Sequence, residues 1–151
     1  MLSALRDFLT DLANPSGDVA RFDAADPRLA TAALLVAVIS VDDEEHPAEF
    51  ARLRTVLADA YGLDAAGTEQ LINAARSSEE EAVDLYTFTA RLKRALDEAG
   101  RRQVIGMMWE IVFADGVVSE FEENMIWRVA ELLGVSSRDR LALKREVEGR
   151  A

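Results

Sequence analysis

Two short acidic stretches hold the residues most able to do chemistry in this chain. Asp42 and Glu49 stand seven positions apart, as do Asp115 and Glu122, and each Asp follows a mainly apolar run, Leu34 to Val41 in one case and Met107 to Ala114, interrupted by Glu110, in the other. Asp43, Glu45 and His46 crowd the first stretch. Carboxylate oxygens in this number suit hard divalent cations, since calcium takes about six to eight oxygen ligands and magnesium an octahedron completed by waters. Manganese or zinc would also recruit the imidazole of His46. The predicted metal ligands are therefore Asp42, Glu49, Asp115 and Glu122, supported by Asp43, Glu45 and His46. The ion is calcium, magnesium, manganese or zinc.

A structural explanation competes with this one. Carboxylates gather at helix N-termini because the macrodipole stabilises them there by roughly 0.3–1 kcal/mol each. Ser119 and Glu122 have the S-x-x-E spacing of a capping box, and Gly116 can supply a positive φ to the turn before it. In the first stretch His46 is a poorer cap, but Pro47 presets the first helical φ. Capping accounts least for Asp42 and Asp115. Neither loop has the alternating ligands and central glycine of an EF-hand. There is also no H-E-x-x-H, no E-x-x-H pair, no phosphate-binding glycine loop and no G-x-S-x-G elbow. The expected role is non-enzymatic.

These loops need helices to position them, and the hydrophobic periodicity supplies helices throughout. Leu2, Leu5, Phe8, Leu9 and Leu12 predict an amphipathic helix over Leu2–Ala13, stopped by Asn14-Pro15-Ser16-Gly17. Asp26-Pro27 is an N-cap followed by a first-turn proline, opening an apolar helix from Leu29 to Val41. Pro47 starts a helix with a Phe50, Leu53, Val56, Leu57 and Ala60 stripe, ending at Tyr61-Gly62. Asp64 caps the next, the polar run Ser77 to Glu81 separates it from a helix bearing Leu85, Phe88, Leu92 and Ala95, and Gly100 marks a break. Helices then follow over about 101–114, 120–133 and beyond Ser136. The predicted fold is all-α, one domain over 1–151, with seven or eight helices. Repeat 1 (about 29–62) and repeat 2 (about 101–134) form a helix-loop-helix duplication related by a pseudo-twofold axis. Met107, Met108, Trp109 and Trp127 are expected in the core, while Glu110 is read as facing solvent. Arg91, Lys93, Arg94, Arg101 and Arg102 read as a solvated basic face.

Composition narrows the partners. The 151 residues are 50% hydrophobic and carry a formal net charge of −11, so the chain is globular and repels phosphate backbones and anionic lipid heads. Nucleic-acid binding and membrane insertion are not expected; a protein partner or self-association is. The absence of cysteine rules out disulfides and thiolate metal ligands. Arg6, Asp7 and Asp11 interrupt the apolar pattern that a secretory signal needs, so a cytoplasmic location is expected.

The stretch VFADGVVSEFEENMIWRVAELLGVS resembles the signature of the TerB-like tellurite-resistance family, and ALLVAVISVDDEEHPAEF resembles its earlier half. The N-terminal domain of the membrane co-chaperone DjlA shares this signature. The resemblance implies a compact all-α fold with internal duplication, a link to stress response, and metal binding at the acidic loops. Asp115, Gly116 and Glu122 match the second-loop pattern. The first loop keeps Asp42 and Glu49 but has Asp43 where glycine is common. A metal-free interaction scaffold like the co-chaperone domain is the alternative reading.

Overall fold

A computed structural model describes residues 22, 26–41, 46–80 and 85–150. The predicted helix over Leu2–Ala13 lies outside the described residues, as do Asp42, Asp43 and Glu45. The described residues form seven helices and no strand, so the protein is all-α.

Helix α1 (Pro27–Ile39) begins as the sequence dictates, with the Asp26 carboxylate accepting from the Arg28 N–H at 2.9 Å and Pro27 in the first turn. The Arg28 side chain folds back onto that carboxylate, Nη2 to Oδ2 at 2.7 Å, with its guanidinium 4.8 Å from the Phe22 ring centre. This contact holds the Asp26 carboxyl below its usual pKa and raises that of Arg28. Beyond Arg28 the helix carries no charge, and Leu29 to Ile39 are buried at every position except Ala37. A helix apolar around its whole circumference belongs in the centre of a fold. Accordingly, α1 touches α2 (Pro47–Tyr61), α3 (Ala65–Glu80), α4 (Leu85–Ala95), α5 (Glu98–Val112) and α6 (Glu120–Leu133).

The second central helix is α5, which touches α1, α2, α6 and α7 (Ser137–Arg150). It buries Met107, Met108 and Trp109, and the Trp109 indole N–H donates to the Arg140 carbonyl at 3.1 Å. Gly62 ends α2 and Gly134 ends α6, both in the left-handed region at φ 63° and 76°, where an L side chain is strained. Asp64 caps α3 through the Gly67 N–H.

Three expectations need correction. Trp127 is 44% exposed, because the buried stripe of α6 runs through Met125, Ile126, Val129, Ala130 and Leu133 and leaves position 127 outside it. Gly100 does not break the chain; Asp97 caps α5 by accepting from the Gly100 N–H at 2.8 Å, which places the glycine in the first turn. The run from Ser77 to Glu80 continues α3, since polarity alone does not stop a helix and Glu is a good helix former.

Candidate metal centre

The second acidic loop is built by local hydrogen bonds. After α5, Gly116 takes a φ of 80°, and the Asp115 Oδ1 accepts from the Val117 N–H at 3.0 Å. That bond uses one carboxylate oxygen and leaves Oδ2 turned to other partners. The expected capping box closes the loop: Ser119 Oγ accepts from the Glu122 N–H at 3.1 Å while Glu122 Oε1 accepts from the Ser119 N–H at 2.9 Å.

In the first loop, His46 occupies the N-cap of α2 but makes no capping bond with its side chain. Its ring serves a different purpose. Nδ1 lies 2.7 Å from Oε2 of Glu49, one turn into α2, and 3.7 Å from Oδ2 of Asp115 in the other loop. Pro47 starts the helix without help from His46, which frees the imidazole for this contact. The Glu49 side chain is fully buried, that of His46 is 10% exposed and that of Asp115 33% exposed. The centre thus has a buried floor and one face open to solvent.

One ligand atom from each of His46, Glu49 and Asp115 lies within 4.8 Å of the other two. Donors 2.0–2.2 Å from one tetrahedral ion stand roughly 3.4 Å apart, so the side chains would have to draw closer for the three to share a single cation. One nitrogen and two carboxylates form a mixed donor set, which suits manganese or zinc better than calcium or magnesium. The buried negative charge favours a cation, and the N-terminal dipole of α2 partly opposes it.

Of the four predicted carboxylates, Glu49 and Asp115 come together, joined by the predicted support His46. Asp42, Asp43 and Glu45 lie outside the described residues. Glu122 is not one of the three clustered residues. It is 1% exposed, its Oε1 is taken by the cap, and its Oε2 is buried with no hydrogen-bond donor among the described residues. Glu110, read as solvent-facing, is half-buried, 3.3 Å from the Arg150 guanidinium. His46 proves closer to the middle of the cluster than its supporting place implied. The signal for this was present in the sequence: the single histidine, in a capping position that it fills poorly, with a glutamate one turn on.

The family model described as "Tellurite resistance protein TerB" matches residues 28–145. No curated protein and no solved structure matches the chain.

Proposed function

The chain belongs to the TerB tellurite-resistance family, matched from the start of α1 to the middle of α7, and from that premise we propose that it is a non-enzymatic stress-response module that binds a divalent metal ion. The observation that carries this reading is that His46 and Glu49, at the start of α2, and Asp115, in the loop after α5, each bring a ligand atom within 4.8 Å of the other two. Capping accounts for neither His46 nor the Asp115 Oδ2. Manganese or zinc is the preferred ion, on the strength of the nitrogen donor. Among the described residues no helix is long and apolar enough to cross a membrane.

Isothermal calorimetry with manganese, zinc, calcium and magnesium tests the proposal, using the wild type and a Glu49→Gln/Asp115→Asn double variant. The expected result is one ion per chain in the wild type and none in the variant. Absence of binding in the wild type would sink the metal reading.

A second reading has its own observation. Val117 and Phe121, on either side of the Ser119 cap, are 71% and 56% exposed, and large apolar side chains grouped on a surface mark interaction sites. On this reading the loop docks a protein partner without metal. Affinity capture by the metal-free chain that is lost in Val117→Ser/Phe121→Ser favours the scaffold, whereas capture that requires metal favours the first reading.

A further inference from the structure

Away from the metal centre, a cleft of about 490 Å³ opens over α5, between α2 and α7. Both flanking helices pack on α5, which lines the cleft with Gln103, Gly106, Met107 and Glu110, the i, i+3, i+4, i+7 spacing of one helix face. The floor is apolar, with Val56, Met107 and Val147 each less than a tenth exposed. The rim is charged, and its Arg52, Asp59 and Glu146 have no ion pair among the described residues. An apolar floor inside a polar rim is the anatomy of a protein interface. A cleft walled by three helices has the form that seats a fourth.

Gly106 keeps the floor low. It lies inside α5 without a positive φ, and a Cβ added there would meet only Leu143 Cδ2 at 3.7 Å, an ordinary contact. Neither backbone conformation nor packing within the fold requires glycine, and helix propensity disfavours it against alanine. What the missing side chain provides is room for another backbone to approach α5.

The rim charges are ordered along the cleft. A narrower extension of about 170 Å³ reaches Phe113 past Arg52, Glu110 and Arg150, while Asp59 and Glu146 border only the wider part. Arg150 engages Glu110 at 3.3 Å, so Arg52 leaves the Phe113 end positive. The helix dipoles give a direction as well. Leu143 lies beside Gly106 and Arg150 beside Glu110, so α7 runs the same way as α5 and both point their negative C-terminal ends toward Phe113.

We propose that the cleft docks one amphipathic helix of a partner protein, running antiparallel to α5, with acidic residues in its first turn, an apolar stripe, and basic residues in its last turn. Its start meets Arg52 and Arg150, its stripe covers Val56, Met107 and Val147, and its finish meets Asp59 and Glu146. The seat from Gln103 to Glu110 is about 10 Å long, or two turns. Acid first and base last is also the order that a helix's own dipole favours.

A synthetic peptide of about 15 residues, long enough to hold a helix, serves as the probe, with glutamates in its first turn, a leucine stripe, and lysines in its last turn. Two companions keep the stripe but carry only glutamate or only lysine at both ends. Titrated into the isotope-labelled full-length chain, the first peptide should shift the Thr55, Asp59, Gly106 and Glu146 amide peaks and bind about tenfold tighter than either companion. A nitroxide at its N-terminus should broaden Phe113 more strongly than Gln103. Gly106→Leu should abolish the shifts with the rest of the spectrum retained, and Arg52→Glu should make the lysine-only peptide the tightest binder. Tightest binding of that peptide to the wild type would reduce the effect to the acidic surface at large and overturn the proposal. So would an unmoved cleft, shifts confined to Val117 and Phe121, or cleft peaks that move on concentrating the chain alone, which would make a second copy the occupant.

Discussion

His46 stands where a capping side chain would stand and instead joins two loops, so its protonation state governs what the cluster can hold. As an imidazolium it is the counter-charge of buried Glu49, 2.7 Å away. As a neutral ring it can serve as a ligand. On the proposed reading protons and a metal ion compete for the same atoms, so acidification should weaken metal binding and binding should release protons. Calorimetry in two buffers of different ionisation enthalpy, repeated at falling pH, should show proton release together with a falling affinity; an affinity independent of pH would remove His46 from the ligand set. Asp115→Asn alone keeps an acceptor for the Val117 N–H and removes the charge. It is expected to weaken manganese or zinc binding on the order of tenfold or more, about 1.4 kcal/mol, with little change in metal-free stability by denaturant titration.

The helix starts are where sequence and structure correspond most directly, because a cap is made by residues two or three apart. Asp26 and Ser119 show what such contacts contribute. Ser119→Ala removes the Oγ that receives the Glu122 N–H and should cost about 1 kcal/mol in urea unfolding. Asp26 adds a pH dependence. Its carboxyl is held below the usual value by Arg28, so its contribution is complete above about pH 3.9, the unfolded pKa, and is lost as pH falls through the lower folded value. Asp26→Asn retains a capping oxygen and loses the ion pair. It should therefore be less stable than wild type at neutral pH, with the gap closing in strong acid; a constant gap would assign the effect to the cap alone. The same locality explains what could be read in advance. Asp26-Pro27, Pro47, Asp64 and Ser119-x-x-Glu122 announce four helices through neighbouring atoms. The outward face of Trp127 follows from its place off the Met125, Ile126, Val129, Ala130 and Leu133 stripe, whereas the meeting of His46 with Asp115 depends on how distant helices stack, and no local spacing encodes that.

Across the whole molecule, two electrostatic effects act on stability in the same direction and must be separated. A net charge of −11 repels itself in the compact state, so any salt that screens it raises stability. A cation bound only by the folded state stabilises further by mass action, about 2.7 kcal/mol at a hundred times its dissociation constant. The two differ in what they require. Screening depends on ionic strength and is indifferent to Glu49 or Asp115, whereas site binding depends on those residues and saturates. At equal ionic strength, sodium chloride should raise the urea midpoint of wild type and of Glu49→Gln/Asp115→Asn alike. Manganese chloride should add the further increment in the wild type alone. If the double variant gains as much from manganese as the wild type does, the ion is acting on the acidic surface at large, and the cluster at His46 is a structural ion pair between two loops.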